Sequence, residues 1–287
     1  MGCGSFSTKD FSSYSRSVGR IYDTTTGRVS GQTYTSRSMD EKLNPKNVMR
    51  ECCNTDEHPN TIPVILALDV TGSMGGACEE TALALGKIVG DLFEKFKDIQ
   101  IMVMGIGDLS YDSAPIQISQ FESDVRIAEW LDKIWLEKGG GGNNFESYTA
   151  AWYMGLYHTK LDAYDKQGRK GIIITMGDEP LNPYLPKDKL SDVTGDNLQS
   201  SVETPQLFNE ASKKFHIFHI AVDDYSNSYE RYSRSIDKSF KEVLDGQRLI
   251  ISTIKNLGQT ICDCVETAVN SSSLASPVDE NGEGISW

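Results

Sequence analysis

The sequence has few features that would direct it to a membrane or to nucleic acid. No stretch reaches the roughly 18 uninterrupted apolar residues that a membrane-spanning helix needs, so we predict no membrane span. Lys and Arg number 28 against 41 Asp and Glu, and the net charge of −13 argues against sequence-independent binding to nucleic acid or to an anionic membrane. The N-terminus has no apolar core for a secretory signal, and Phe6 stands where myristoylation requires Ser or Thr.

The cysteines are also not arranged for metal binding. The six cysteines form no two matched CxxC pairs, which argues against a zinc site. Reduced thiols in a cytoplasmic protein are the simplest interpretation, and we therefore expect a cytoplasmic location.

What the sequence does contain is a series of apolar runs separated by segments with helical spacing. Buried strands are predicted at 62–68, 99–106, 170–175 and 215–222, with a last strand at 248–252 and a half-exposed edge strand at 115–121. Apolar residues recur at intervals of three and four in 78–97, 124–136, 205–214 and 255–270. This alternation predicts an α/β fold with a doubly wound, mostly parallel sheet flanked by helices.

The ends of the chain differ in composition from its centre. Residues 1–60 are rich in Ser, Thr, Gly, Tyr and charge and have no clear period, which predicts an extended or partly disordered N-terminal arm. We expect the α/β domain to span 61–270 and a flexible tail to span 271–287.

Polar residues with oxygen atoms follow the first predicted strand. Asp69 stands at the carboxyl end of that strand, where open α/β sheets bind their ligands, and Thr71 and Ser73 follow at intervals of two. Asp69 alone could be the N-cap of the next helix, but capping needs one side-chain oxygen and three are present here. Carboxylate and hydroxyl oxygens are the ligands that hard divalent cations prefer.

Two other loops are predicted to reach the same edge of the sheet. Four glycines at 139–142 cannot form a stable helix or strand, so a helix is predicted to begin near 144 or 145, with Asn143 and Glu146 at its N-terminus. Asp178 follows the strand predicted at 170–175.

These three loops resemble the metal-ion-dependent adhesion site of the von Willebrand factor A (VWA) family, which includes integrin I domains. Asp69, Thr71 and Ser73 match the family's Asp-x-Ser-x-Ser turn, with Thr in place of the first Ser. The loop at 139–148 resembles the integrin β version, which places Glu146 on the metal-binding Glu and Asn143 on the Asp three residues before it. Met176 stands where the third loop often has Asp, and Asp178 follows two residues later.

The resemblance implies a particular kind of site. A Mg²⁺ ion, with Mn²⁺ or Ca²⁺ possible, would be held by Asp69, Thr71, Ser73, Glu146, Asn143 and Asp178. The ion would capture an Asp or Glu carboxylate of a partner protein, without catalysis. The arrangement of an arm before the domain is similar to that of uncharacterised bacterial and phage VWA proteins. If this chain is phage-encoded, we expect it to be associated with the virion.

Two alternatives remain open at this stage. The segment ALDVTGSM is also similar to the Asp-x-x-Gly-Thr turn of haloacid dehalogenase-like phosphatases, in which Asp69 would be a nucleophile and Asp178 would hold magnesium. The domain could instead be a structural or assembly protein with a degenerate metal site, and Met176 favours that alternative.

Overall fold

The chain folds into alternating strands and helices. The computed structural model describes residues 5–22, 29–30, 36–74, 88–137, 143–223 and 229–273. The strands are β1 (Ile21–Tyr22), β2 (Val29–Ser30), β3 (Arg50–Cys52), β4 (Ile62–Asp69), β5 (Ile99–Ile106), β6 (Ile116–Ile118), β7 (Thr159–Leu161), β8 (Gly171–Gly177), β9 (Tyr184–Leu185), β10 (Val202–Glu203), β11 (Phe215–Val222) and β12 (Leu249–Ser252). The helices are α1 (Thr8–Ser17), α2 (88–95), α3 (Arg126–Lys133), α4 (Thr149–Tyr157), α5 (Asp162–Asp165), α6 (Lys187–Thr194), α7 (Thr204–Lys214), α8 (Tyr229–Lys241) and α9 (Leu257–Ser273).

A six-stranded sheet forms the centre of the fold, with strand order β12-β11-β8-β4-β5-β6. Neighbouring strands are parallel from β12 to β5, and β6 alone runs antiparallel to its neighbour β5. The predicted α/β fold with a doubly wound, mostly parallel sheet flanked by helices is therefore confirmed. Each predicted strand of this sheet is present, with ends shifted by one or a few residues.

The edge strand β6 differs from its predicted burial. Alternation in 115–121 predicted a half-exposed strand, but all three residues of β6 are buried. The polar side chain in its centre, Gln117, pairs with the backbone of Trp135, donating to its carbonyl (2.8 Å) and accepting from its N–H (2.9 Å). A polar residue inside a strand can thus be buried because the neighbouring segment satisfies its hydrogen bonds.

Apolar side chains cover both faces of the sheet. Along β4, Val64, Leu66 and Leu68 belong to one core cluster, and Ile65 and Ala67 belong to the other. The first cluster includes residues of α2, α3 and α9, and the second includes residues of α4, α7 and α8. Burial on both faces explains why the predicted strands are apolar without alternation.

The sheet has a switch point between β4 and β8. Successive strands are added towards β6 on one side of this pair and towards β12 on the other. In doubly wound sheets the ligand lies at the carboxyl ends of the two strands that flank such a point. Asp69 is the last residue of β4, and Asp178 directly follows β8.

The described part of the predicted N-terminal arm contains regular structure. Helix α1 begins after Ser7, whose side chain accepts a hydrogen bond from the Asp10 N–H. Phe6, just before the helix, and Phe11, within it, are buried in the core of the domain. Tyr14 donates to Asp132 of α3 at 2.5 Å. The expectation of an extended or partly disordered segment is wrong for α1, which buried aromatic side chains and the Tyr14 hydrogen bond attach to the domain.

Residues after the glycine loop also depart from expectation. The helix predicted to begin near 144 or 145 begins at Thr149. Before it, Glu146 forms an isolated parallel bridge with Leu181, and its N–H donates to the Pro180 carbonyl at 3.1 Å. Bonding to the third loop therefore replaces helical bonding at this position.

Two predicted segments fall partly outside the described residues. Residues 88–95 of the segment 78–97 are helical, and its residues 78–87 lie outside the described part, as do 274–287 of the predicted tail. Within the described ranges, no helix combines the length and the apolar character needed to cross a bilayer.

Candidate metal site at the switch point

The first loop surrounds Asp69 with hydroxyl groups. Asp69 is completely buried, and its Oδ1 accepts hydrogen bonds from the Thr71 N–H (2.9 Å) and Thr71 Oγ1 (2.5 Å). Thr71 Oγ1 lies 3.0 Å from Ser73 Oγ. The three residues predicted from the sequence are therefore contiguous in space, with their side-chain oxygens in one chain of hydrogen bonds.

The third loop joins the first across the switch point. Ser73 Oγ donates to Asp178 Oδ1 at 3.1 Å, although the two residues are 105 positions apart. Asp178 is also completely buried. By contrast, Met176 is a buried core residue within β8, so Asp178 is the acid that the third loop brings to Ser73.

The second loop contributes a buried carboxylate. Glu146 is only 5% exposed, and its Oε2 accepts no hydrogen bond from the part of the chain that the structure describes. Within those residues it also forms no ion pair. Burial, followed by the charges of Asp69 and then Asp108, raises the pKa of Glu146 to about 11. An ionised Glu146 is thus strongly disfavoured unless a cation accompanies it.

The acidity of Asp69 is perturbed in the same direction. Burial, followed by the charge of Asp178, raises its pKa to about 7, and hydrogen bonds from Thr71 and Tyr148 oppose the rise. Two carboxylates that repel each other in a buried place need either a proton or a positive ion.

Tyr148 is a site residue that the sequence analysis missed. Its hydroxyl donates to Asp69 Oδ2 at 2.6 Å and accepts from the Glu179 N–H at 3.2 Å, so it links the first and third loops. In the sequence, Tyr148 stands at the start of an apolar helix, and nothing near it indicates a role in the site. Its contact with Asp69 depends on the path of the loop that follows the glycines.

Asp108 is a second missed residue. It is 1% exposed, and its Oδ2 has no hydrogen-bond partner within the described ranges. Next to it, the Leu109 N–H donates to the Ser147 side chain at 3.0 Å, which ties the loop after β5 to the second loop. The sequence does place an acid at or soon after the end of each of β4, β5 and β8. Because parallel strands end at one edge of the sheet, this pattern could have predicted that Asp108 lies at the same edge as Asp69 and Asp178.

Asn143 is the predicted ligand that the structure does not connect to the others. It directly follows residues 138–142, which lie outside the described part. The hydrogen bonds of the described residues do not join it to Asp69, Thr71 or Ser73. Its role stays a prediction.

The donor set fits a hard cation better than a soft one. In the described ranges, no group of three or more His, Cys, Asp and Glu side chains is arranged to hold a metal ion. Coordination here would therefore combine carboxylates with the hydroxyls of Thr71 and Ser73. Oxygen donors of this kind suit Mg²⁺, Mn²⁺ or Ca²⁺, and the orphaned oxygen of Glu146 is compatible with such an ion.

Sequence comparisons identify no relative: no family model matches the chain, and no curated protein matches it. Solved structures do resemble it. The open form of the pilus adhesin SpaC from Lactobacillus rhamnosus GG aligns with a TM-score of 0.51 and 9% identity, over 79% of this chain and 31% of the adhesin. This chain therefore corresponds to about a third of the adhesin's length.

Two further matches have lower TM-scores. The von Willebrand factor domain of the pilus tip protein Mfa5 from Porphyromonas gingivalis gives a TM-score of 0.45 and 13% identity, covering 76% of this chain and 98% of that domain. Proximal thread matrix protein 1 from the mussel byssus gives 0.48 and 11%, covering 72% of this chain and 48% of that protein. At these identities the likeness to the SpaC adhesin concerns the fold alone, and it agrees with the doubly wound architecture described above.

Proposed function

We propose that the chain is a VWA-like protein-binding module that holds a divalent cation at the switch point and uses it to capture a carboxylate of a partner protein. The residues that would hold the ion are Asp69, Thr71, Ser73, Glu146 and Asp178, with Asn143 as a further candidate. Mg²⁺ is the expected ion, and Mn²⁺ or Ca²⁺ would suit the same donors.

One observation carries the metal part of this proposal. Asp69, Asp178 and Glu146 are all at least 95% buried around the same loops, and Glu146 has an oxygen without a hydrogen bond in the described part of the chain. Burying an ionised carboxylate without a partner costs several kcal/mol, on the order of the total stability of a domain. A divalent cation would remove this cost, and the hydroxyls of Thr71 and Ser73 lie beside the acids that would share the ion.

The protein-binding part follows from the donor set. Two or three carboxylates and two hydroxyls do not fill the coordination of an octahedral ion, so positions remain for water or an incoming oxygen. An outside carboxylate is the strongest hard donor that a partner protein offers. The VWA resemblance of the first loop supports this use of the open position.

The metal part is tested by thermal unfolding and calorimetry of the full chain in Mg²⁺ and in chelator. The wild type should gain about 2.7 kcal/mol in unfolding free energy at an ion concentration one hundred times the dissociation constant. Asp69→Asn keeps the shape and removes the charge, so we expect it to lose the gain while remaining folded in chelator. Asp237→Asn alters an exposed acid of α8 that pairs with Lys241, and this control should respond to Mg²⁺ like the wild type. A wild type with no heat of Mg²⁺ binding would overturn the site.

The partner part needs a separate experiment. Tagged full-length chain should retain a protein from an extract of its native host in Mg²⁺ and release it in chelator, and Asp69→Ala should retain none. The captured protein should lose binding when one of its own surface acids is changed to the amide. If calorimetry shows Mg²⁺ binding but the partner is retained equally in chelator, the ion does not mediate partner binding. That result would contradict the proposed use of the ion and leave the metal site itself supported.

A further inference from the structure

A cavity lies at the rim of the sheet opposite the candidate metal site. It has a volume of about 350 Å³ and is lined where β4 and β8 begin, with α9 forming another wall. We call it the basic cavity, after Lys97, Arg169 and Lys170 in its lining, which also includes Ile62, Ile172 and Asp98. Because β4 and β8 end at the metal site and begin here, the two places are separated by the length of the strands.

The basic cavity carries positive charge in an acidic protein. Three cations line it against one acid, Asp98, and that acid faces Nδ1 of His58 at 3.3 Å. None of the three cations forms an ion pair with a residue in the described ranges. Lys170 Nζ instead donates to the Ser212 carbonyl (2.7 Å), and Arg169 donates to the side chain of Gln167.

The titration of a neighbouring histidine agrees with this charge. Burial, followed by the positive charges of Lys170 and Arg248, lowers the pKa of His216 to about 4. The beginning of β11, which holds His216, is next to the beginning of β8. The positive potential therefore extends along this rim.

Apolar side chains form the rest of the wall. Ile62 and Ile172 come from the first residues of neighbouring strands, and Ala268 and Val269 come from one turn of α9. Ligand cavities in proteins begin at about 300 Å³ and combine apolar walls with a few polar groups that fix orientation. The cavity volume suits a small ligand, and the apolar walls suit a ligand with an apolar group.

We propose that the basic cavity binds a small organic anion, with a carboxylate facing Arg169 and Lys170 and a compact apolar body against Ile62 and Ile172. The guanidinium of Arg169 has the planar form that pairs with a carboxylate through two hydrogen bonds. The site differs from the candidate metal site in place, in the sign of its charge and in its independence of a cation.

The experiment measures binding of benzoate to the full chain by calorimetry and by NMR chemical shifts, in chelator so that no cation at the other rim can bind it. Benzoate should bind saturably and shift amide signals at the beginnings of β4 and β8. Benzamide, which has the same body without the charge, should bind about tenfold more weakly or worse, as should inorganic phosphate, which has charge without the body. Equal binding of benzamide or phosphate would overturn the assigned chemistry.

Variants separate this cavity from other surfaces. Arg169→Gln with Lys170→Gln should weaken benzoate binding about tenfold or more, since two charged donors are lost. The single variant Lys97→Gln removes the third cation of the lining, at an exposed position, and should also weaken binding; it provides a second test if the double variant unfolds. Lys213→Gln changes an exposed lysine of α7 that pairs with Glu210 and should bind benzoate normally. Asp69→Asn should also bind it normally, whatever the outcome at the metal site. Normal binding by Lys97→Gln and by the double variant would overturn the proposal.

Discussion

The hydroxyl of Tyr148 donates a 2.6 Å hydrogen bond to Oδ2 of Asp69, across 79 residues of sequence. The same hydroxyl accepts from the N–H of Glu179 in the third loop. One tyrosine thus fixes the orientation of the acid that ends β4 and the position of the loop that follows β8. Residues that orient a ligand in this way commonly matter almost as much as the ligand itself.

Tyr148→Phe should reduce both stability and cation affinity. Loss of the hydroxyl removes the hydrogen bond from Tyr148 to the buried Asp69, which costs about 1–3 kcal/mol in unfolding free energy measured in chelator. The affinity for Mg²⁺ by calorimetry should fall about 10–100-fold. Tyr153→Phe is the matched control, because Tyr153 is also buried and donates to a carboxylate, Asp196, at 2.6 Å. That variant should lose stability and keep its Mg²⁺ affinity; equal losses of affinity in both variants would contradict a specific role for Tyr148.

Gly177→Ala should displace Tyr148 without touching any charged group. A Cβ at Gly177, the last residue of β8, would lie 2.0 Å from the Tyr148 hydroxyl, so the tyrosine or the strand end must move. We expect weaker Mg²⁺ binding and a lower melting temperature, both followed by thermal unfolding with and without the ion. Gly246→Ala, where nothing lies within 4 Å of the added carbon, should leave both unchanged. If Gly177→Ala keeps the wild-type melting temperature and Mg²⁺ affinity, then Tyr148 does not pack tightly against Gly177.

Beryllium fluoride distinguishes the proposed module from a phosphatase. Both oxygens of Asp69 accept hydrogen bonds and the side chain is fully buried, which does not suit attack on a phosphate. We expect no stabilisation by beryllium fluoride beyond that of Mg²⁺ alone in thermal unfolding, and no release of phosphate from p-nitrophenyl phosphate. Saturable trapping that Asp69→Asn abolishes would favour the nucleophile.

His158 is expected to hold the segment before the domain in place. Its Nδ1 lies 2.9 Å from the carbonyl of Val48 and its Nε2 lies 2.7 Å from Asp196, so both ring nitrogens face acceptors. In His158→Ala, amide exchange of residues 48–52 should become faster by about tenfold, as expected for loss of one hydrogen bond to this segment. The control Lys160→Ala removes an exposed ion pair with Glu51 on the neighbouring strand and should change little. Unchanged exchange in His158→Ala would place the restraint elsewhere.

Lys214 should make stability depend on pH in alkaline solution. Its ammonium group donates to the carbonyls of Gly155, Leu156 and Thr159, and burial lowers its pKa to about 8. The unfolded chain, with an ordinary lysine pKa of about 10.4, binds more protons than the folded chain between these values, so stability should rise with pH across that window.

The difference between wild type and Lys214→Met isolates this effect. The variant should lose about 1–3 kcal/mol at neutral pH, because buried carbonyls lose their donor. Urea unfolding at several pH values should give a wild-type advantage that grows between pH 8 and pH 10. A constant difference across this range would contradict the lowered pKa.

Sequence patterns were sufficient for the sheet because its strands are buried on both faces. Such strands are mainly apolar without alternation, and the acids Asp69 and Asp178 mark where β4 and β8 end. The first loop was also predictable, since Asp69, Thr71 and Ser73 are close in sequence and their contacts are local.

The parts that could not be predicted depend on contacts between distant segments. Tyr148 reaches Asp69 only because the second loop bonds to Pro180 and Leu181 instead of starting a helix. Asp108 follows its strand in the same way as Asp69, but nothing local indicates that it lies near Glu146. Helix α1 was not expected, because its packing depends on residues of α2 and α3 that are far away in the chain.

The packing of the segment before residue 61 has a practical consequence for shortened versions of the protein. Phe6 stacks on Phe93 with ring centroids 5.9 Å apart, and Leu43 is completely buried. A truncation that starts at residue 61 would expose the surfaces beneath both side chains to water, at about 1.5–3 kcal/mol for each large apolar group. Expression trials that remove the first sixty residues should therefore yield aggregation-prone material, and the N-terminal segment is best retained as part of the folding unit.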